Sequence, residues 1–439
     1  MSLCMEKQES VILMKRTFLI LLLTVFLELG VSCGGGANPV WKPDSSIPIA
    51  GPNIQGTADL DQAITGLMKT YNLPGVALAI TKDGHLILAR AYGYADLEAR
   101  QQMQPDSLGR IGSIGKTITA VATLHLVEQG KLNLDTPFLD ILTQYSLPPN
   151  ADPRLRTVTV RQIMWHAGGW DTAIGGDPEM ESTQIAKALG VPEPTNCGDW
   201  IQYMLGKPLD FAPGTKYSYS NFGYCILGRV VEKVSGKKYA DYLAQDVLPQ
   251  MDIHDMQIGH TLESQRLLRE VKYYDFPGAS RIPSVLPPHD LTPAPYGWAY
   301  IEALEGMGGW IGSPIDLMRF INHVDGTQPP QYLGPAMVSE FTARPSIPGA
   351  ENWTSWYGLG IGVDQQAGGL HWNHDGGCPG TMALLNRRPD GYDWALVTNS
   401  RPLDNTPAFG ALQNAVDRVL DKGFAGSPTD LYGNFPSQP

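Results

Sequence analysis

Ser113-Ile114-Gly115-Lys116 opens the segment on which the reading of this chain turns. Residues 113–129 read as a helix stopped by Gly130 as its C-terminal cap. A three-residue step sets Ser113 and Lys116 on one face, one turn apart. A serine hydroxyl is a poor nucleophile until a nearby base takes its proton. A lysine with a pKa lowered by desolvation is such a base, or it holds another base in its charged form. The start of a helix also favours developing negative charge. Taken alone the quartet is weak, because about one or two Ser-x-x-Lys matches arise by chance in a chain of this size. Ser235-Gly236-Lys237-Lys238 is a second match. It falls where the helical stretch 221–235 stops at Gly236, and a helix end gives a nucleophile nothing, so it reads as a solvated terminus.

Two further stretches extend the first. In Tyr219-Ser220-Asn221 the tyrosine is a candidate proton shuttle for Ser113, because a neighbouring lysine favours the phenolate. Asn221 is placed to hold that lysine or a substrate amide. The bland alternative for Tyr219 is an ordinary core tyrosine, and a rival Tyr432-Gly433-Asn434 sits in a tail where nothing is expected to bury it. His374-Asp375-Gly376-Gly377 is predicted where a late strand ends, with glycines that let backbone approach a ligand closely. An N–H there, with that of Ser113, can form an oxyanion hole. The competing reading is a hairpin turn with a satisfied histidine.

Outward from these motifs, residues 59–71 read as a helix, and 75–80 and 85–91 as strands joined by a Lys82-Asp83-Gly84 turn. Residues 262–300, rich in proline, read as a long surface excursion. Ser313-Pro314-Ile315-Asp316 is a capping box opening a helix to about 323. Strands are expected at 357–363, 369–373, 382–387 and 394–398, with a turn at Pro389-Asp390-Gly391, then a helix at 406–422 and a Pro/Gly tail. Strands at both ends with helices between them predict one sheet built from both chain ends.

Composition narrows the function. A chain of 439 residues holds one large two-part domain or two to three ordinary ones. The net charge of −12 argues against nucleic acid and against a basic patch for anionic lipid. Lys15 and Arg16, the apolar run 18–27 and the small residues ending at Cys33 form a signal-peptide layout, too short to span a membrane. Cys33 is a candidate lipidated cysteine of a bacterial lipoprotein, although Gly30 stands three residues before it, where leucine is usual. The expected product is exported, periplasmic or anchored to the membrane through Cys33. Beyond Cys33 remain Cys197, Cys225 and Cys378, from which one disulfide can form. No Cys/His cluster has zinc spacing.

The order of the motifs resembles the class C β-lactamase-like serine hydrolases, which include penicillin-binding DD-peptidases, D-aminopeptidases and family VIII esterases. Phe211-Ala212-Pro213-Gly214-Thr215-Lys216-Tyr217-Ser218-Tyr219-Ser220-Asn221 is similar to the family's Pro-Gly-x-x-x-x-Tyr-Ser-Asn segment. Val160-Arg161-Gln162-Ile163-Met164-Trp165-His166-Ala167-Gly168-Gly169 resembles its His-Thr-Ser-Gly turn, and Gly308-Gly309-Trp310 resembles its Gly-Gly stretch before a capped helix. The resemblance spans about residues 57–422. It implies an α+β fold of the β-lactamase/transpeptidase type: an antiparallel sheet flanked by helices, packed on a mainly helical lobe. The boundaries expected are a signal peptide at 1–33, a tether at 34–56, the domain at 57–425 and a tail at 426–439. Within the domain, the sheet lobe covers about 57–112 and 300–425 and the helical lobe about 113–299.

The resemblance further implies Ser113 as nucleophile, Lys116 and Tyr219 as the base system, and Asn221 as a positioning group. His374, Gly376 and Gly377 fall at the third motif, with the Gly377 N–H paired with that of Ser113 as the oxyanion hole. No metal or organic cofactor is expected. One departure is chemical: penicillin-recognising members carry Lys-Thr-Gly where this chain has His374-Asp375-Gly376. The substrate expected is therefore a small ester, amide or D-amino-acid peptide. The alternatives are a penicillin-binding or sensing protein that acylates with little turnover, a weak β-lactamase, or an inactive scaffold. The pattern says nothing of oligomeric state.

Overall fold

Strands from the two ends of the chain meet in one nine-stranded antiparallel sheet in this computed structural model, which describes residue 41 and residues 46–437. The early strands are β1 (Ile49–Ala50), β2 (Gly75–Lys82) and β3 (His85–Asp96). The late ones are β4 (Ser355–Tyr357), β5 (Gly362–Gln366), β6 (Gly369–Cys378), β7 (Thr381–Arg387) and β8 (Tyr392–Thr398). Their order is β1-β3-β2-β8-β7-β6-β5-β4, with Gln101–Gln102 added to β3. The β2–β8 pair, from Val76 opposite Thr398 to Lys82 opposite Tyr392, joins the two ends of the chain. Both strands are buried along nearly their whole length, as a sheet covered on both faces requires.

The helices are α1 (Ala58–Tyr71), α2 (Gly115–Glu128), α3 (Asn221–Ser235), α4 (Pro314–Asp325) and α5 (Thr406–Leu420). Leu60, Ile64 and Met68 recur every four residues along α1 and form its buried stripe. α1 packs on α5, and α4 lies against β2 and β8. α2 is central: nearly every residue from Gly115 to Leu126 is buried, and α3 packs along it. One continuous core of buried side chains runs from Leu60 and Ile80 in the sheet half through Ile118 on α2 to Trp200 and Val230 in the helical half. The fold is thus the expected α+β arrangement.

The structure corrects several expectations. The strand expected at 369–373 continues to Cys378, because β7 supplies an unbroken ladder from Trp372–Arg387 to Cys378–Thr381. His374-Asp375-Gly376-Gly377 therefore lies inside a strand rather than in a turn. The strand expected at 357–363 is two, β4 and β5, separated by a turn closed by the Gly358 N–H on the Ile361 carbonyl at 2.8 Å. The excursion 262–300 is partly packed: Val271, Tyr273 and Tyr296 are buried against Ala77 of β2, Ala91 and Ala95 of β3, and Met103. The tail is no free tail. The Leu431 N–H donates to the Leu86 carbonyl at 2.9 Å, and Tyr432 is buried with its hydroxyl 3.3 Å from Asn322 Oδ1. The end of the expected tether forms edge strand β1, with Ile54 buried beyond it. The signal segment and Cys33 lie outside the described residues. Cys197 and Cys225 form a disulfide that ties α3 to the helix Cys197–Met204, and Cys378 is a buried free thiol.

Candidate active site

Ser113 sits in a single turn of 3-10 helix, Gly112–Ile114, that leads into α2. Gly112 takes a φ of +53°, and a Cβ there would lie 2.9 Å from the Gly377 nitrogen, so only glycine suits the approach of this turn to β6. Ile111 and Ile114, both fully buried, anchor the turn in the core. One turn on, Lys116 is fully buried, with its Nζ 3.1 Å from Ser113 Oγ and 2.6 Å from the Met307 carbonyl oxygen. The carbonyl can only accept, so one N–H of the amine is committed to it and the lone pair is free to face the serine hydroxyl. Burial brings the Lys116 pKa down to about 7, against the opposing pull of Glu179, Asp177 and Asp375. At neutral pH a large share of the amine is therefore unprotonated and able to take a proton.

Tyr219 is placed by the turn before α3, whose first N–H groups are capped by Ser220 Oγ, which accepts from the Gly223 N–H at 3.1 Å. Tyr219 lines a cavity together with Ser113, and the Lys116 Nζ lies 5.0 Å from its ring centroid. The expected phenolate does not follow. Burial holds the Tyr219 hydroxyl well above its ordinary value of 10, and the same burial removes much of the lysine charge that would have favoured the anion. Tyr219 is a neutral phenol, fit to donate. His166, from the His-Ala-Gly-Gly turn, packs against it with the rings tilted by 34° and their centroids 4.3 Å apart. Its Nδ1 accepts from the Ser220 N–H at 3.0 Å, and burial keeps its pKa well below 6.5, so the ring is neutral.

β6 forms the facing wall. Strand β5 covers it only as far as Asn373, so from His374 onward one edge is left without a strand partner among the described residues and turns toward Ser113. A Cβ on Gly376 would run into the Ile111 carbonyl oxygen and sit 3.2 Å from the Ser113 nitrogen, so glycine here lets the strand lie directly against the Ser113 turn. This brings the backbone of Gly376 and Gly377 beside that of Gly112 and Ser113. His374 lies in the wall, buried, with both nitrogens spent. Its Nδ1–H donates to the Asp375 carbonyl at 2.7 Å, which leaves Nε2 to accept from the Tyr357 hydroxyl at 2.9 Å. Burial takes its pKa down to about 4, although Asp375 works the other way. It offers neither a charge nor a free donor.

Asn221 faces a cavity of about 310 Å³ shared with Ser113, and does not hold Lys116. Its Nδ2 donates to Asp177 Oδ2 and to Glu179 Oε1, each at 2.8 Å. These two carboxyls, in and beside the short turn Pro178–Met180, are site residues that no sequence signal pointed to. Tyr357 and the Met307 carbonyl were equally silent: each comes from a loop or edge strand far along the chain.

This geometry sits on a chain that belongs to the β-lactamase family, whose model, described as Beta-lactamase, matches residues 60–415. The chain is similar to penicillin-binding protein 4 of Amycolatopsis lactamdurans, at 28% identity over 78% of this chain and 85% of that one. It is similar to esterase EstB of Burkholderia gladioli, at 27% identity over 78% and 90%. Its fold matches that of D-amino acid amidase from Ochrobactrum anthropi SV3 with a TM-score of 0.62 at 22% identity, over 83% and 98% of the two chains.

Proposed function

We propose that the chain is a serine acyl-hydrolase that forms an acyl-enzyme on Ser113 and acts on esters or small amides, D-amino-acid peptides among them. The observation that carries this is the Lys116 amine, 3.1 Å from Ser113 Oγ with its pKa near 7. As Oγ attacks a carbonyl carbon, its proton passes to Lys116 Nζ, and the developing oxyanion is met by the N–H groups of Ser113 and Gly377. Tyr219 gives its phenolic proton to the leaving group and is reprotonated from Lys116. Water then attacks the ester to Ser113, the same two residues return the proton, and the acid is released. β-Lactams are poor substrates in this reading, because the wall that faces their carboxylate presents His374, neutral and internally bonded.

The likeness to a penicillin-binding protein supports a second reading, in which acylation is followed by little turnover. Fluorophosphonate labelling followed by intact mass, beside steady-state hydrolysis of a p-nitrophenyl ester, tests both. Labelling at Ser113 with sustained turnover supports the hydrolase, a single burst supports the sensor, and no labelling removes both. Export belongs to the same proposal: the Cys197–Cys225 disulfide suits an oxidising compartment.

A further inference from the structure

Two cavities meet at Ser113, and both also take in Gly377. Tyr219, the proton donor to the leaving group in the proposed reaction, lines only one of them, together with His374. That cavity therefore receives the leaving group. The other, of about 310 Å³, receives the acyl part of the substrate. Part of its wall is cationic: Arg110 and Arg401 both line it, with Cys378 beside them. Arg110 is 1% exposed, and its guanidinium lies over the Tyr273 ring at 4.3 Å. It donates to the carbonyls of His260 and Pro295, and no carboxylate pairs with it among the described residues. Arg401 makes neither an ion pair nor a hydrogen bond among the described residues, although burial works against its charge. The acidic groups nearby do not balance the two. Glu270 bonds the Tyr273 hydroxyl at 2.7 Å rather than Arg110. Burial raises the Asp275 carboxyl, which accepts from the Phe276 N–H at 3.0 Å. Burial likewise holds the Cys378 thiol and the Glu179 carboxyl of the same cavity above their ordinary values, so both keep their protons. Two positive charges in one cavity wall are costly unless a ligand brings the counter-charge.

We propose that Arg401, backed by the charge of Arg110, forms a subsite for a carboxylate on the acyl part of the substrate, so that the site prefers short acyl donors ending in an acid, such as half-esters or half-amides of a dicarboxylic acid. A guanidinium presents paired N–H donors that match the two oxygens of a carboxylate. Arg110, spent on its two carbonyls, adds field rather than a contact, and a low-dielectric wall strengthens that field. The volume of the cavity suits a short acyl chain and leaves little room for a long one. A carboxylate on the leaving-group side, as in a penicillin, gains nothing from this wall. It meets His374 instead, neutral and internally bonded.

The assignment of the acyl side rests on Ser113 being acylated with Tyr219 as proton donor, and binding measured without reaction separates the two claims. The Ser113→Ala protein is titrated by NMR at neutral pH with ethyl hydrogen succinate and with ethyl succinamate, an uncharged probe of the same shape. The half-ester should bind about ten-fold or more tighter than the amide, the scale of a charge-assisted contact. In the Ser113→Ala, Arg401→Gln protein that ratio should fall to near one. Arg401→Lys, which keeps the charge but not the paired donors, should lower it several-fold and serves the same purpose should the glutamine variant fail to fold. Equal binding of the two probes, no measurable binding of the half-ester, or a ratio untouched by both Arg401 substitutions overturns the subsite. Fluorophosphonate labelling of the wild-type chain tests the nucleophile independently of all these outcomes.

Discussion

The chain contains the Ser-x-x-Lys pattern twice, and only one copy encloses its lysine beside its serine. Ser113-Ile114-Gly115-Lys116 enters α2 at its start, and its lysine is wholly enclosed. Ser235-Gly236-Lys237-Lys238 leaves α3 at its end, where Gly236 takes a left-handed φ of +73° as the C-cap. Lys237 there bonds Asp246 at 2.6 Å with about two-fifths of its side chain in water, and Lys238 is exposed. The difference is burial. Taking Lys116 out of water costs its charged form several orders of magnitude in stability relative to the free amine, and this makes a base of a residue that is otherwise a cation. In the first copy the lysine amine lies 3.1 Å from the serine hydroxyl, whereas in the second the chain leaves the helix at Gly236 before it reaches Lys238.

The strongest way to break this comparison is to remove each serine. Ser113→Ala should abolish ester hydrolysis and fluorophosphonate labelling while keeping stability within about 1 kcal/mol, since a small, partly exposed side chain is replaced. Ser235→Ala should leave both activities as they are. Labelling that survives in the first variant and vanishes in the second would reverse the assignment. Next in size, Tyr219→Phe should cut turnover by about 10²- to 10⁴-fold, the usual worth of a positioned proton donor, with much less change in binding of a slow substrate. If turnover is near normal there and falls in Tyr217→Phe, the shuttle is the neighbouring tyrosine.

A smaller effect is expected at the third motif. With no ammonium at residue 374, a substrate carboxylate loses a charge-assisted bond of about 1–2 kcal/mol, or about ten-fold in specificity. Nitrocefin should therefore be a poor substrate beside a short p-nitrophenyl ester. His374→Lys should raise the nitrocefin-to-ester ratio, even though it gives up the Tyr357 bond. An unchanged ratio, with both activities damaged alike, would leave His374 the sole task of holding Tyr357.

How much of this was legible in the sequence follows from what each feature depends on. Ser113, Lys116, Tyr219 and Asn221 announce themselves because their chemistry is tied to short, ordered motifs. The ionisation states did not, because they depend on enclosure by distant segments: the predicted phenolate of Tyr219 fails once Lys116 itself is desolvated. Asp177 and Glu179 lie in a short turn without periodicity and reach the site only through the packing of the helical half. Strand β6 was expected to stop at its glycines, but the β7 ladder carries it through them, as tertiary pairing overrides local propensity. Tyr432 looked exposed because a Pro/Gly-rich tail gives no sign of the strand edge and helix that receive it.

The central claim is that Lys116 acts as the unprotonated base, and the pH dependence of Ser113 acylation tests it most directly. Below its pKa of about 7 the amine is charged and cannot accept the proton, so kcat/KM for a neutral ester should fall about ten-fold per pH unit there and level off above about pH 8. His374, with its pKa near 4, is neutral throughout that range and adds no limb of its own. An acid limb centred close to 7 that is absent from the residual activity of Lys116→Ala supports the account. A limb near 4, or a rate still climbing toward pH 10, would contradict it.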